Sequence, residues 1–267
     1  FKAIKTSGDI NQNVKLSQIG GKNLFCKEIE EKLLKKEIDI AVHSLKDMES
    51  VEDDNLIIGA YIKRNDYRDV IISKKIKSLE DLKGKIVIGS SSKRRELQLK
   101  KINKNISVTS MRGNIDTRIK KLKEGLYDAI ILSYAGIKFL NFDDEISEIF
   151  SPEQVIPSAG QGIIALQCRE GDEEIISVFK KINHNETFIR AHVERNILKV
   201  LEGDCETAVG AHSIIKDDKI IVEAELFSLD GTKRFYEKKT GKKKDFSQIG
   251  RELGQLLKTK SNNSYKR

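Results

Sequence analysis

The stretch Lys85–Arg118, KIVIGSSSKRRELQLKKINKNISVTSMRGNIDTR, decides the fold. The apolar, β-branched run Ile86–Val87–Ile88 reads as a buried strand and stops at Gly89 and the serines Ser90, Ser91 and Ser92. A helix-like segment opens at once on Lys93, Arg94 and Arg95. The pattern then repeats: strand Ile106–Val108, the turn Met111–Arg112–Gly113–Asn114, and a helix opening on Asp116, Thr117 and Arg118. At each strand-to-helix turn, free backbone N–H groups and the positive end of the helix dipole converge. Arg94, Arg95, Arg112 and Arg118 add guanidinium groups, which hold carboxylates and phosphates at two points. A lone basic pair at a helix start is commonly a solvated face. Two such turns within one βαβ-sized unit point instead to a ligand with several anionic groups, because open α/β sheets bind ligands beyond the carboxyl ends of their strands.

The flanking sequence extends the alternation. Strands are expected at 86–89, 106–110 and 128–133 and helices near 93–101, 115–124 and 135–140, with Ser133–Tyr134–Ala135–Gly136 a third turn on the same edge. This order implies a mostly parallel sheet covered on both faces. Upstream, Phe1–Ile4 reads as a strand end, Ile19–Gly20–Gly21–Lys22 precedes a helix over about 23–35, and Ile38–Val42 reads as a buried strand. Lys22, after a flexible diglycine, is either plain surface or ligand-facing. His43–Ser44–Leu45–Lys46–Asp47 follows at a strand's carboxyl end, so Lys46 and Asp47 are either an ordinary surface pair or part of a site. Leu56–Ile62 and Val70–Ile72 are further strands, and the polar segment Lys63–Asp69 between them, with Arg68, is a first domain crossing. Pro152 and Pro157 bracket a second crossing, and Ala159–Gly160–Gln161–Gly162 begins a return strand, Ile163–Cys168, into the first sheet. A chain that crosses twice gives a hinged, two-lobed cleft.

The last part changes character. Asn185 can cap a helix over 186–201 with Ile189, Val193 and Ile197 on one face, and Gly203–Asp204–Cys205 follows as a loop. Strands at 208–215 and 219–228, a hairpin signal at Asp230–Gly231 and a helix over 246–257 read as a small α+β domain. In the second strand Ile220, Val222, Ala224 and Leu226 alternate with Ile221, Glu223, Glu225 and Phe227. The tail, 261–267, is expected to fray. The expected division is therefore 1–63 with 162–182, then 68–157, then 184–267.

Composition narrows the function. A chain of 267 residues can bury two or three cores, and no apolar run is long enough to span a bilayer, so no membrane partner is expected. The formal charge of +8 invites nucleic acid, but aromatics are only 6% and there is no Trp, which leaves no stacking platform for single strands. Three cysteines, odd in number and far apart, argue against a disulfide framework and for a reducing compartment. With no basic start followed by an apolar stretch in FKAIKTSGD, a cytoplasmic protein is expected, and a monomer. No metal site is expected.

Six motifs, in this order, resemble the hydroxymethylbilane synthase (porphobilinogen deaminase) family: Gly-Gly-Lys-x-Leu-Phe (20–25), His-Ser-x-Lys-Asp (43–47), Ser-Ser-x-Arg-Arg (91–95), Arg-Gly-Asn-x-x-Thr-Arg (112–118), Gly-Gln-Gly (160–162) and Leu-Glu-Gly-x-Cys (201–205). The resemblance covers nearly the whole chain. It implies an α/β fold of two lobes like those of periplasmic binding proteins, with mostly parallel sheets, plus a C-terminal α+β domain with an antiparallel sheet. It implies a transferase that links four porphobilinogen molecules head to tail, with loss of ammonia, into the linear tetrapyrrole hydroxymethylbilane of haem biosynthesis. The family grows this chain on a dipyrromethane cofactor bound through a thioether, here to Cys205.

By the same resemblance Asp47 is the catalytic residue, and Lys46, Ser91, Ser92, Arg94, Arg95, Arg112, Gly113 and Arg118 join Cys205 in holding the cofactor. Lys22, Arg68, Ser133, Gln161 and Arg169 fall to the substrate. Each pyrrole carries an acetate and a propionate, so the full polypyrrole presents about a dozen carboxylates to paired cations. Loss of ammonia leaves a cationic, azafulvene-like species that a carboxylate stabilises. The family begins with a strand and helix carrying a Thr-Arg-x-Ser-Pro-Leu-Ala motif, and this sequence starts after it, so one site arginine and one strand of the first sheet are expected to be missing. Phe139 stands where many members carry a basic residue, and Met48–Glu49 where a proline is common. The competing reading is a two-lobed anion receptor without turnover, which would need neither Asp47 nor a modified cysteine.

Overall fold

The computed structural model describes residues 2–4, 6, 26–202 and 207–266. The first part contains α1 (Lys27–Leu34), β1 (Ala41–Ser44), a single 3-10 turn at Leu45–Asp47, and β2 (Leu56–Tyr61). The middle part runs β3 (Asp69–Ser73), β4 (Ile86–Gly89), α2 (Lys93–Ile102), β5 (Ile106–Thr109), α3 (Ile115–Lys123), β6 (Ala129–Ser133), α4 (Tyr134–Phe139) and β7 (Glu148–Ile149). The chain then continues through β8 (Ile164–Arg169), α5 (Glu173–Ile182), α6 (Asn185–Leu201), β9 (Val209–Lys216), β10 (Lys219–Phe227), β11 (Arg234–Lys242) and α7 (Phe246–Ser261).

Three sheets form, ordered β1-β8-β2, β5-β4-β6-β3-β7 and β11-β10-β9. The α/β architecture with an antiparallel C-terminal sheet is as expected, but the strand directions are mixed rather than mostly parallel. In the second sheet β4 is parallel to β5 and β6, while β3 is antiparallel to β6 and β7. In the first, β8 lies between β1 and β2 and runs against both. The reason is the double crossing: β3 and β8 each arrive from the other lobe at the cleft edge, so each runs opposite to strands whose carboxyl ends face the cleft.

The second sheet is buried on both faces. Val70, Ile71 and Ile72 of β3 and Ile130, Ile131 and Leu132 of β6 are all buried. Their alternate side chains pack into two separate apolar clusters, one around Ile88, Leu99 and Phe150, the other around Met111, Ile119 and Ile137. At about 1.5–3 kcal/mol per buried aliphatic side chain, these clusters and not the surface ion pairs hold the lobe together.

Where the chain crosses between the first two sheets, its two connections lie side by side. The Asn65 amide donates to the Gly162 carbonyl at 2.8 Å, and the Ile62 amide to the Ile164 carbonyl at 3.0 Å. Gly162 has φ +80° there, and a Cβ would sit 2.8 Å from the Asn65 carbonyl oxygen, so glycine is required. Glu194 of α6 pins both connections. It takes Arg64 Nη1 at 2.6 Å, the Gly160 amide at 2.8 Å, and Ser213 through its amide at 2.9 Å and its hydroxyl at 2.7 Å.

Several local expectations are revised. Residues 2–4, read as a strand end, pair with no strand among the described residues. The strand expected at 38–42 falls at 41–44, because the Ile38 carbonyl is taken by Arg169 Nη1 at 2.7 Å instead of a strand partner. His184, not Asn185, caps α6: its ring accepts the Thr187 amide. The tail is docked rather than frayed through residue 266, since Tyr265 is buried and its hydroxyl donates to the Leu201 carbonyl at 2.9 Å. The polar face of β10 is covered, with Glu223 and Glu225 both buried.

The C-terminal sheet is backed by α6 and α7, which cross at Gly250. A Cβ at that position would lie 2.3 Å from the Val193 carbonyl oxygen, a backbone atom that cannot swing away. Gly250→Ala is therefore expected to force the helices apart and lower stability by about 1–3 kcal/mol, as overpacking does. Urea titration reads the loss, and an unchanged midpoint would contradict so close a crossing.

Candidate active site

Both arginine-bearing turns lie on one edge of the second sheet, because β4 and β5 are parallel neighbours. Ser91 staples them: its hydroxyl donates to the Met111 carbonyl at 2.7 Å and accepts the Met111 amide at 3.1 Å. Ser92 caps α2, its oxygen accepting the Arg95 amide at 3.4 Å. At the second turn Gly113 has φ +114°, which lets the chain double back, and its carbonyl accepts Arg118 Nε at 2.6 Å. The Lys121 ammonium closes the same turn through the Arg112 carbonyl at 3.0 Å.

At the centre is Asp69, the first residue of β3, with no exposed surface. Its Oδ2 accepts Arg94 Nη1 at 2.7 Å, and its Oδ1 accepts Arg95 Nη2 at 2.6 Å and Nε at 3.1 Å. Burial pushes this carboxyl up, but the two guanidinium groups outweigh it and hold Asp69 below the usual carboxylate range. Gln161 completes the knot. Its Nε2 donates to Asp69 Oδ1 at 3.0 Å and to the Tyr67 carbonyl at 2.8 Å, while its Oε1 faces Lys46 Nζ at 3.4 Å and Arg95 Nη2 at 3.5 Å.

Lys46 and Asp47 stand on the 3-10 turn after β1, with Lys46 half-buried and Asp47 exposed. Burial lowers the Lys46 pKa, with Arg95 and Arg94 adding to the effect and Asp47 and Asp69 opposing it. Arg118 is pushed down to about 10 by burial and by the like charges of Arg95 and Arg112, with Asp47 the opposing charge. Lys46, Asp47, Arg95, Arg112 and Arg118, drawn from both sheets, thus share one electrostatic neighbourhood. Positive charge there exceeds what Asp47 and Asp69 supply, and this suits a ligand carrying several carboxylates.

The remaining candidates lie as follows. Arg94 turns inward, also donating to Gln98 Oε1 at 3.1 Å and the Ile156 carbonyl at 2.8 Å. Arg68 forks onto Asp66, with Nη2 to Oδ2 at 2.7 Å, while its carbonyl accepts the Tyr134 amide beside Ser133. Arg169 ends β8, roughly 17 Å along the strand from Ile164 at the usual rise. There it ties to the Leu33 carbonyl at 3.0 Å, Asp39 at 2.7 Å and Asp172 at 3.0 Å. Lys22 and Cys205 lie outside the described residues. Cys26 and Cys168 are buried, and burial pushes the Cys26 thiol up to about 12. Sequence reasoning passed over Asp69, Gln98, Arg64, Glu194 and Glu225, which sit in polar connections or on amphipathic elements and carry no local signal.

Fold and site together define a two-lobed α/β protein with a cation-rich site built from its first two sheets. Two family models match, "Porphobilinogen deaminase, dipyromethane cofactor binding domain" over residues 1–177 and "Porphobilinogen deaminase, C-terminal domain" over residues 188–259. The chain is 43% identical over 239 residues to a porphobilinogen deaminase of Brevibacillus brevis, covering 89% of this chain and 77% of that protein. To that of Syntrophomonas wolfei it is 40% identical over 257 residues, covering 96% and 84%. Among solved structures, the Bordetella pertussis BvgS VFT2 domain superposes with a TM-score of 0.39 at 17% identity, covering 63% of this chain and 72% of that one. The chain belongs to the porphobilinogen deaminase family, transferases of tetrapyrrole biosynthesis, and its residues 1–177 match that family's dipyrromethane cofactor binding domain. The receptor reading is not favoured. No helix among the described residues is long and apolar enough to cross a membrane.

The Asp69 knot has a measurable consequence. Removing one partner of a buried ion pair costs about 3–5 kcal/mol, so Asp69→Asn is expected to lose that much stability in urea at pH 7. Because the folded-state pKa lies below the ordinary 3.8, the contribution is full above that value and is lost as pH falls through the folded pKa. The deficit of Asp69→Asn should therefore shrink in strong acid; an equal deficit throughout would mean that the carboxylate charge is not what matters.

Proposed function

We propose that this chain deaminates porphobilinogen and joins four molecules head to tail into hydroxymethylbilane. The observation that carries the reading is that Lys46 and Arg118, one from each lobe, both feel the exposed carboxylate of Asp47, with Arg95 and Arg112 as the neighbouring like charges of Arg118. The donor set fits a dipyrromethane, whose acetates and propionates would offset the burial and the like-charge repulsion that together push Arg118 down. When bound, that cofactor supplies the nucleophilic pyrrole carbon on which the chain starts. Lys46, Ser91, Ser92, Arg94, Arg95, Arg112, Gly113 and Arg118 would hold it, and Lys22, Arg68 and Ser133 would take substrate carboxylates; Gln161, buried against Asp69, would act by fixing that carboxylate, and Arg169, tied to Asp39 and Asp172 at the far end of β8, is not among the substrate contacts. The reading also includes a cytoplasmic monomer with no nucleic-acid partner, built as residues 1–63 with 162–182, 68–157 and 184–267.

Asp47 does the electrostatic work. The aminomethyl group of porphobilinogen is an ammonium at neutral pH and leaves as ammonia, the C–N electron pair going to nitrogen and the positive charge passing to the ring. A carboxylate fixed beside that ring accepts the pyrrole N–H and lowers the energy of the developing cation. The 3-10 turn that carries Asp47 is held from behind, since the Cys26 thiol donates to the Asp47 carbonyl at 3.7 Å. The arginines hold carboxylates and keep the acetate and propionate arms from competing for the cation.

Asp47→Asn is expected to keep the fold and the cofactor mass yet lose at least about a hundredfold in kcat, the scale of one removed charge-stabilising group. Near-normal turnover would remove Asp47 from the chemistry. For attachment the reading takes Cys205, on its Leu-Glu-Gly-x-Cys motif, and the burial and raised pKa of the Cys26 and Cys168 thiols support it. Peptide mapping of the holoprotein should find the dipyrromethane on Cys205, and an adduct on Cys26 or Cys168 would overturn the assignment.

A further inference from the structure

We propose that Gln98 and Glu225, which lie outside the cleft, are positioning residues for Arg94, so that the C-terminal sheet sets the geometry of the cations at the β4–α2 turn. The inference rests on the reading of Arg94 as a holder of cofactor carboxylates.

Gln98 lies one turn after Arg94 on α2, and Glu225 lies on β10; neither has exposed surface. The Gln98 amide has one allowed orientation. Its Nε2 donates to the Ile156 carbonyl at 3.1 Å and to Glu225 Oε2 at 2.7 Å, both of which only accept. Its Oε1 must therefore face Arg94 Nη1, at 3.1 Å. A flipped amide would set oxygen against two acceptors and an NH2 group against a guanidinium. Glu225 thus fixes the amide, and the amide directs Arg94, whose Nη1 is also held by Asp69 Oδ2 at 2.7 Å and the Ile156 carbonyl at 2.8 Å.

The carboxylate itself is chosen for direction. Its Oε1 accepts Lys101 Nζ at 3.3 Å from the same helix and Arg234 Nε from β11, so the buried charge is compensated from both sides of the junction. A buried ion pair adds little stability over an apolar replacement of similar volume. Its specific contribution is an acceptor that cannot donate, aimed at one amide. Asp69 holds Arg94 directly from the crossing, and Glu225 acts on it from the C-terminal sheet through the Gln98 amide.

The experiment is a double-mutant cycle on apoprotein, read by intact mass as it gains the dipyrromethane during incubation with porphobilinogen. Glu225→Gln preserves shape but can donate, which permits the flipped Gln98. It is expected to slow cofactor gain about tenfold, the scale of one charge-assisted hydrogen bond, when assayed well below the variant's own thermal midpoint, which falls because a buried ion-pair partner is removed. Glu225→Asp, which keeps an acceptor-only group, should recover most of the rate. In an Arg94→Lys background Glu225→Gln should slow it no further, because the group it directs is gone. Full additivity in that background, or an unchanged rate in Glu225→Gln, would overturn the positioning role while leaving the cofactor assignment intact. An Arg94→Lys protein that gains cofactor at the normal rate would instead overturn the assignment of Arg94, and this inference with it. Should Glu225→Gln fail to fold, Gln98→Met closes the same cycle from the helix side, with the same readings.

Discussion

One carboxylate sealed from water organises the centre of this protein. Asp69 opens β3, at the point where the chain enters the second lobe, and carries two guanidinium groups from α2. A lone buried carboxylate would be forced toward its neutral form; two arginines reverse that and keep it charged. Everything near it then follows from satisfying charge without water. Gln161, from the second connection, turns its NH2 group to Asp69 and its oxygen to Lys46 and Arg95. The first lobe's lysine and the second lobe's arginines are thereby referred to the same atom pair.

The cations nearer the cleft have the opposite arrangement. Arg118 has the Gly113 carbonyl as a partner and otherwise feels other positive charges, with Asp47 as relief. A site with surplus charge is costly when empty of anions, and the cost is met by rigid scaffolding: the Ser91 staple, the Ser92 cap and the double-sided apolar sheet beneath. The same surplus gives affinity for a substrate and cofactor whose every ring carries carboxylates.

The sequence made the α/β units of the second lobe legible because they are local. A β-branched run, a stop of glycine and serine and a helix opening on arginines are all contained in 34 consecutive residues, Lys85–Arg118. The same locality exposes Arg94, Arg95, Arg112 and Arg118 as site candidates, and the strand end at His43–Asp47 exposes Asp47. What stayed hidden depends on distant partners. Asp69 reads as one more polar residue of a crossing, and its meaning comes from arginines 25 and 26 positions away. Glu225 reads as the outward member of an alternating strand, and is buried because α2, 127 positions away at Gln98, covers that face. Strand direction is hidden for a related reason, since β3 and β8 take their direction from the path between lobes and not from their composition.

The paired connections between the lobes have a mechanical consequence. Two backbones joined by hydrogen bonds, with Gly162 pressed against the Asn65 carbonyl, form a short ribbon instead of two loose tethers. A ribbon bends easily across its thickness and resists sideways shear and torsion. Its third fastening, the Glu194 carboxylate, holds both strands to the rim of the C-terminal sheet. Bending across that ribbon is therefore the softest relative movement these fastenings leave to the two lobes, like the covers of a book on a sewn spine.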